Sequence, residues 1–384
     1  MKAEQQYIDL FTQYEDLICR KSVPVLNALR AQAFADFERL GFPSLKGEDY
    51  KYTDVEKAFA PDYGININRL NIPVNPYDVF HCDVPNLSTS LYFVVNDSFY
   101  DKELPKAHLP EGVYAGGLCR FASEYPEIAA RYYGKLAQTS ANGVVALNTM
   151  LAQDGFVVYV PKHTVVERPI QLVNIFRSDV DTMANRRILF IVEENAEARL
   201  LVCDHSIDDV KFFSNQVIEI FAGANARADY YDLEESSVST TRFSNLFVRQ
   251  EAHSSVVVNG VTLTNGLTRN NYFVSLEGEG ADLSLCGMSV LDKEQQLDTY
   301  SLVHHKVPHC TCNELFKNVL NDRAIGAFSG RILVEQGADK TEAYQTNRNL
   351  CATRECRMYS KPQLEIYADD VKCSHGMSTG QLDE

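Results

Sequence analysis

A degenerate repeat of about 28 residues constrains the fold of this chain more than any other feature of its 384 residues. Each copy is a short turn-like segment of small and polar residues that follows one run of β-branched and aromatic residues and precedes another. Such a repeat is typical of a β-solenoid, whose stacked coils bury one continuous apolar interior. Four copies lie at 194–199, 222–227, 250–255 and 277–282, and the segments 166–171 and 335–339 continue the register.

An antiparallel sandwich is the alternative fold, because it also uses short strands separated by turns. Asn-Gly pairs, which are typical of hairpin turns, fit that alternative and occur at 142–143, 259–260 and 265–266. The spacing of the repeat favours the solenoid over the sandwich.

The first 150 residues have a different pattern, and we predict a mainly helical N-terminal domain over 1–150 and a β domain over 151–384. Apolar residues recur at helical spacing over 7–18 and again over 26–40, where Gly41 supplies the expected stop.

Two shorter elements are predicted further along the N-terminal domain. A run of apolar residues over 91–95 predicts a strand. A helical stretch is predicted over 118–136, with an interruption near Pro126.

The formal net charge of −16 excludes several classes of function. An acidic chain repels phosphate backbones, and no cationic cluster exceeds a pair such as Arg186-Arg187, so we expect no nucleic-acid binding. The N-terminus lacks the basic-then-apolar pattern of a signal peptide, and no stretch approaches the roughly 18 apolar residues of a membrane span. We therefore expect a cytoplasmic protein, away from membranes, whose ten cysteines are thiols.

The C-terminal segment 361–376, Lys-Pro-Gln-Leu-Glu-Ile-Tyr-Ala-Asp-Asp-Val-Lys-Cys-Ser-His-Gly, contains the strongest candidate for a metal site. On an extended strand, Cys373 and His375 would share one face with Cα atoms roughly 7 Å apart. A thiolate and a neutral imidazole suit iron or zinc, but two ligands are too few, so the others would come from elsewhere, such as a second chain. The alternative is that Cys373 packs as a small apolar residue while His375 caps a turn at Gly376.

A second cluster of thiols and imidazoles offers an alternative function, a homo-oligomeric metal-binding module. On a continuous strand, alternation would place the first histidine of this cluster on the same face as its two cysteines. No CxxC pair is present, so a closed structural zinc site is not expected. The cluster consists of His304, His305, His309, Cys310 and Cys312.

Catalytic motifs are not found in the sequence. It has neither a phosphate-binding Gly-x-x-x-x-Gly-Lys-[Ser/Thr] loop nor a Gly-x-Ser-x-Gly elbow, so we predict no catalytic residue and expect any ATP hydrolysis in a partner. A β-helix polysaccharide lyase or hydrolase is the enzymatic alternative, but such enzymes usually carry an export signal, which the N-terminus lacks.

The segment 361–376 and the closing residues 380–384, Gly-Gln-Leu-Asp-Glu, resemble the C-terminal signature of SufD-type members of the SufB/SufD family, which act in the SUF system of iron–sulfur cluster assembly. SufB-type members share the core but not the Lys-Cys-Ser-His-Gly run. Tyr50 stands where the family usually has Trp. Further similar elements lie at 48–53, 146–149, 154–155, 167–170 and 345–350.

The resemblance implies a mainly β fold with a right-handed parallel β-helix as its core. It also implies a non-catalytic scaffold subunit that pairs with SufB, works with the ATPase SufC and forms a transient iron–sulfur cluster at the SufB interface. The positions implicated on the SufD side match Cys373 and His375.

Three further expectations follow from the resemblance. The family continues past its signature into helices that dock SufC, whereas this sequence stops at Glu384, so we expect that segment to be missing by truncation. The chain is expected to pair with SufB through the end of the β-helix, and a homodimer is the alternative for the isolated chain. Reduced flavin (FADH2) bound by the family's complex is a further expected cofactor, without identified contact residues in this chain.

Overall fold

A computed structural model describes residues 2–80, 88–105 and 109–382. The chain is mainly β, and a helical N-terminal region precedes a parallel β-solenoid. The predicted fold class is therefore confirmed. Asp383 and Glu384, the last residues of the C-terminal signature, lie outside the described residues.

Helices concentrate in the N-terminal part of the described chain. The α-helices are α1 (Ala3–Arg20), α2 (Pro24–Asn27), α3 (Arg30–Leu40), α4 (Val55–Phe59), α5 (Pro76–Val79), α6 (Leu118–Glu124), α7 (Pro126–Tyr132) and α8 (Gly143–Leu151), with short 3-10 turns at Glu48–Tyr50 and Thr139–Ala141.

Strands dominate from residue 156 onward. The strands are β1 (Gly64–Ile65), β2 (Ser90–Val95), β3 (Ser98–Phe99), β4 (Tyr114–Gly117), β5 (Phe156–Val160), β6 (Ile170–Phe176), β7 (Thr182–Val192), β8 (Glu197–Ser206), β9 (Phe212–Ala222), β10 (Arg227–Glu235), β11 (Thr240–Gln250), β12 (Ser255–Thr264), β13 (Leu267–Leu276), β14 (Asp282–Leu291), β15 (Gln296–His305), β16 (Thr311–Leu320), β17 (Ile325–Val334), β18 (Glu342–Cys351), β19 (Arg357–Ile366) and β20 (Lys372–Gln381).

The N-terminal helices bury the apolar faces that their sequence spacing predicts, as the buried Tyr7, Phe11 and Ile18 of α1 show. The predicted second helix is divided into α2 and α3 by a turn at 28–29, and α3 ends at Gly41, whose φ of +59° favours glycine. The predicted strand is β2, and the predicted stretch over 118–136 forms α6 and α7, which meet at Pro126.

Two sheets form the solenoid, and successive strands alternate between them. Sheet 1 runs from β4 through β5 and the odd-numbered strands to β19, while sheet 2 runs from β3 through β2 and the even-numbered strands to β20. Each solenoid strand pairs in parallel with the strand one coil away. Hairpins would instead pair consecutive strands antiparallel, so the sandwich alternative is wrong.

The Asn-Gly pairs do not form hairpins in this fold. Asn259-Gly260 lies inside β12, and Asn265-Gly266 lies in the connection from β12 in sheet 2 to β13 in sheet 1. The pair at 142–143 begins α8, where the Asn142 side chain accepts a hydrogen bond from the Val144 amide as an N-cap.

Copies of the sequence repeat are the turns that lead from sheet 1 to sheet 2. Asn195, Asn225 and His253 occupy equivalent positions with φ of +54°, +57° and +54°, a left-handed conformation that Asn tolerates better than most residues. The turns stack closely, since a Cβ added at Gly278 would lie 1.9 Å from the backbone nitrogen of Ala252.

The solenoid interior is one continuous apolar cluster of Val, Ile, Leu, Phe and Ala from both sheets, and the part-buried Cys373 packs against its end. Fully burying each large apolar side chain contributes roughly 1.5–3 kcal/mol relative to exposure. The N-terminal helices cover the outer face of sheet 1, where Met183, Phe213 and Phe243 join the core of α1, α3 and α8.

Tyr50 fixes the helical region to sheet 1. The Arg269 guanidinium stacks 4.5 Å from the Tyr50 ring centroid and donates hydrogen bonds to the Asp49 carbonyl and the Asp298 carboxylate. Tyr50 combines an aromatic face with a hydroxyl, which accepts a hydrogen bond from Asn142.

Candidate metal site in the last coil

Cys373 and His375 lie on β20, the outermost strand of sheet 2 among the described residues. In the parallel register with β18, Cys373 pairs with Ala343 and His375 pairs with Gln345. Ala343 and Gln345 are buried inside the solenoid, so both site residues face the inner side of their coil. The predicted shared face is present in the structure, with Cys373 part-buried and His375 exposed.

The alternative role for this pair is half correct. Cys373 does pack against the end of the apolar interior. His375, however, lies within a regular strand that continues through Gly376 to Gln381, so it caps no turn.

Two columns of side chains run along the inner face of sheet 2 and end at the site residues. Cys312, Ala343 and Cys373 form the first column. Glu314, Gln345 and His375 form the second, because each shares a register position with the next. The site therefore continues two coils into the interior.

The second column is polar and buried up to its last member. Glu314 is fully buried, and its carboxylate accepts hydrogen bonds from Ser301 Oγ at 2.6 Å and Gln345 Nε2 at 3.2 Å. Burial raises the pKa of Glu314 to about 7.

Burial also affects the pKa values of the thiols in the first column. It raises the pKa of the part-buried Cys373 and raises that of the enclosed Cys312 well above its ordinary value. Lys372 lies on the outer face, where its Nζ donates a hydrogen bond to Glu342 Oε1 at 2.7 Å, so it does not approach the Cys373 thiol. A metal ion that binds Cys373 must therefore displace the thiol proton.

The facing strand β19 lines the last coil with apolar groups and one hydroxyl. Met358 and Leu364 pack against the interior cluster, and Ser360 Oγ donates a hydrogen bond to Asn347 Oδ1 at 2.8 Å. Within residues 2–80, 88–105 and 109–382, no group of three or more His, Cys, Asp or Glu side chains could hold a metal ion. Cys373 and His375 would need further ligands from outside this part of the chain.

The second predicted cluster is not brought together. His304 faces outward from β15, with Nε2 2.6 Å from Glu335 Oε1, whereas Cys312 faces inward on β16 and Cys310 lies in the turn before it. The prediction that the three share a face is wrong, because the turn at 306–310 resets the strand alternation. His305, not His304, points into the interior.

Gln345 and Glu314 belong to none of the candidate sites that the sequence suggests, although Gln345 begins the motif at 345–350. Strand alternation combined with the repeat could have placed them, since Glu314, Gln345 and His375 follow one another at 31 and 30 residues. The repeat varies by a few residues between coils, which is enough to hide the register.

The fold and the site together define the class of protein. It is a β-solenoid with a thiol and an imidazole on the inner face of its outermost described coil. The family model described as SufBD protein N-terminal region matches residues 1–172, and the model described as SUF system FeS cluster assembly, SufBD core domain matches residues 175–384. The chain belongs to the SufBD family.

Several curated proteins are similar to this chain over most of its length. The iron–sulfur cluster assembly protein SufD of Escherichia coli is 29% identical over 353 residues, which are 90% of this chain and 78% of that protein. SufD of Bacillus subtilis is 25% identical over 393 aligned positions, covering all of this chain and 87% of that protein. An iron–sulfur cluster assembly SufBD family protein of Synechocystis is 29% identical over 90% of this chain and 77% of its own length.

In the described part of the chain, no helix combines the length and apolar character needed to cross a membrane.

Proposed function

We propose that this chain is a non-catalytic scaffold subunit of iron–sulfur cluster assembly whose Cys373 and His375 hold a nascent cluster as cargo. The observation that carries the proposal is that these two side chains share the inner face of β20 and remain accessible, with Cys373 packed against the end of the apolar interior and His375 exposed. Thiolate and imidazole ligands suit iron.

A SufB-type partner completes the coordination shell in this proposal. Two ligands do not hold a cluster alone, and no third His, Cys, Asp or Glu joins them in the described residues. The SufC-type ATPase supplies nucleotide hydrolysis in the cytoplasm, since this sequence has no phosphate-binding loop. We assign no residue of this chain to the reduced flavin that the family resemblance implies.

Three single variants of the full chain test the proposal in complexes co-purified anaerobically with SufB- and SufC-type partners. Cys373→Ala and His375→Ala should leave the complex assembled but remove most of its cluster absorbance, iron and sulfide. Ser374→Ala is the matched control, because Ser374 lies between the two on the exposed outer face of the same strand. Wild-type cluster content in both site variants would contradict the proposal.

Metal titration of the isolated chain separates the scaffold from a self-sufficient module. Weak binding of Fe²⁺ or Zn²⁺ by the partner-free chain under anaerobic conditions supports a shared site. Tight stoichiometric binding that depends on Cys373, with dimerisation of the chain, would support a homo-oligomeric metal-binding protein instead.

A further inference from the structure

Gln345 occupies the interior of the coil directly behind the site. Its side chain is 1% exposed and extends across the space between the two sheets. A Cβ added at Gly330 on the opposite strand would lie 2.4 Å from Gln345 Nε2 and 2.7 Å from its Cδ. The absence of a side chain at Gly330 therefore provides the room that the Gln345 amide fills.

The amide is oriented by the coil below it. Gln345 Nε2 donates to Glu314 Oε1 at 3.2 Å, and Ser301 donates to the other carboxylate oxygen at 2.6 Å. Above the Glu314 pKa of about 7 the carboxylate is ionised and only accepts hydrogen bonds, so it selects the NH2 group of Gln345 and turns the amide oxygen away.

That oxygen is buried and has no hydrogen-bond partner among the described residues. Leaving a buried acceptor unpaired is unfavourable, and most buried polar atoms in folded proteins are paired, so the unpaired Gln345 Oε1 requires an explanation. Of the two neighbours of Gln345 in its column, Glu314 already binds the NH2 group, and the other is His375.

We propose that Gln345 Oε1 accepts a hydrogen bond from one ring nitrogen of His375 and thereby presents the lone pair of the other nitrogen to the cluster. Gln345 is thus a positioning residue, and Glu314 and Ser301 hold it in place. Metal-ligating histidines commonly donate their second N–H to a carbonyl or carboxylate, which fixes the ring tautomer and orientation. The inference rests on the proposed role of His375, but its central contact belongs to this chain alone.

The first readout is the tautomer of His375 in the full chain without metal, measured by ¹⁵N NMR of the labelled imidazoles at about pH 8, above the ordinary pKa of histidine. His375→Gln identifies the resonances. Wild-type protein should show one dominant tautomer, and Gln345→Leu should show a mixture. Asn347→Leu is the matched control, because it removes a buried amide whose register partner is Met377.

A double variant exchanges the two functional groups without changing the net charge. In Glu314→Gln with Gln345→Glu, the residue at 314 donates and the residue at 345 keeps an acceptor toward His375. This exchange should restore the single tautomer that Gln345→Leu loses. If Gln345→Leu fails to fold, Gln345→Asn, which is one methylene shorter, should release the ring in the same way.

The second readout is cluster occupancy in the complex, where Gln345→Leu should weaken metal binding by about 10- to 100-fold. An unchanged His375 tautomer in both Gln345→Leu and Gln345→Asn would overturn the inference. A tautomer that shifts while Cys373→Ala and His375→Ala keep their cluster would uphold the contact and refute the proposed function instead.

Discussion

Cys373 pairs with Ala343 in the parallel register of β20 and β18, so the thiol of the last described coil lies beside a buried methyl group. One coil further in, Cys312 holds the same position and is 2% exposed. The two thiols thus differ in accessibility although they belong to one column.

This difference predicts the order of thiol modification. Under native conditions at about pH 8, iodoacetamide should label Cys373 and leave Cys312 unmodified, because only Cys373 is accessible to the reagent. Both thiols have raised pKa values, so the expected difference comes from accessibility. Peptide mass spectrometry after timed quenching measures both sites. Labelling in denaturant is the control. Equal native rates at the two cysteines would contradict the buried position of Cys312.

Glu314 should make the stability of the protein fall as pH rises from about 5 to about 8. Its pKa is about 7 in the folded chain against an ordinary value of 4.5, so in this window the folded state binds more protons than the unfolded state. Glu314→Gln removes the titrating carboxyl group, while the neutral amide can keep the hydrogen bonds with Ser301 and Gln345. Relative to wild type, the variant should gain on the order of 3 kcal/mol between the two pH values, at about 1.4 kcal/mol per pKa unit.

Urea unfolding at both pH values measures this gain. Glu342→Gln is the control for losing a negative charge, because Glu342 begins the strand that carries Gln345 but is paired with Lys372 on the outer surface. A Glu314→Gln variant with the same pH dependence as wild type would show that the carboxyl group is not enclosed.

His305 should have the opposite effect at acidic pH. Its ring is buried, neither nitrogen has a hydrogen-bond partner among the described residues, and burial lowers its pKa from 6.5 to about 4. Between these values the unfolded state binds more protons, so this group's contribution is lost as pH falls from about 6.5 toward 4.

His305→Phe keeps a ring and removes both nitrogens. The free energy of unfolding of this variant should exceed that of wild type more at about pH 5 than at about pH 7.5, by an amount on the order of 2 kcal/mol. Chemical denaturation at the two pH values measures the difference. An equal difference at both would mean that the ring is hydrated or paired.

Local regularity explains which parts of the fold and site were predictable. The turns can be recognised in the sequence because their left-handed positions favour residues such as Asn195, Asn225 and Gly280. The shared face of Cys373 and His375 followed from alternation because β20 has no irregularity between them. Alternation fails between His304 and Cys312, where a turn intervenes. It also does not predict contacts between side chains of different coils.

The partnership of Gln345 with Glu314 illustrates what alternation along one strand leaves out. The two side chains meet because parallel strands 31 residues apart adopt one register. That register depends on the length of every connection in the coil, which varies with each turn. The boundary near residue 150 between a helical and a β domain stays a prediction.

The close stacking of turns predicts that one glycine is indispensable and another is not. At Gly278 an added Cβ would lie 1.9 Å from Ala252 N and 2.3 Å from the Glu251 carbonyl carbon, both backbone atoms of the preceding coil. Gly278→Ala can be accommodated only if adjacent coils separate, which breaks backbone hydrogen bonds such as the one from Gly278 N to the Gln250 carbonyl. We expect a loss of at least about 3 kcal/mol in the free energy of unfolding.

Gly376 is the matched control, because no heavy atom would lie within 4 Å of a Cβ added there. Gly376→Ala should change the free energy of unfolding by no more than about 0.5 kcal/mol, as is usual for exposed positions. Denaturant unfolding of both variants measures the contrast. If Gly278→Ala were as stable as Gly376→Ala, neighbouring turns could not be in direct contact, and the continuous stacking that places β20 at the end of the interior columns would be incorrect.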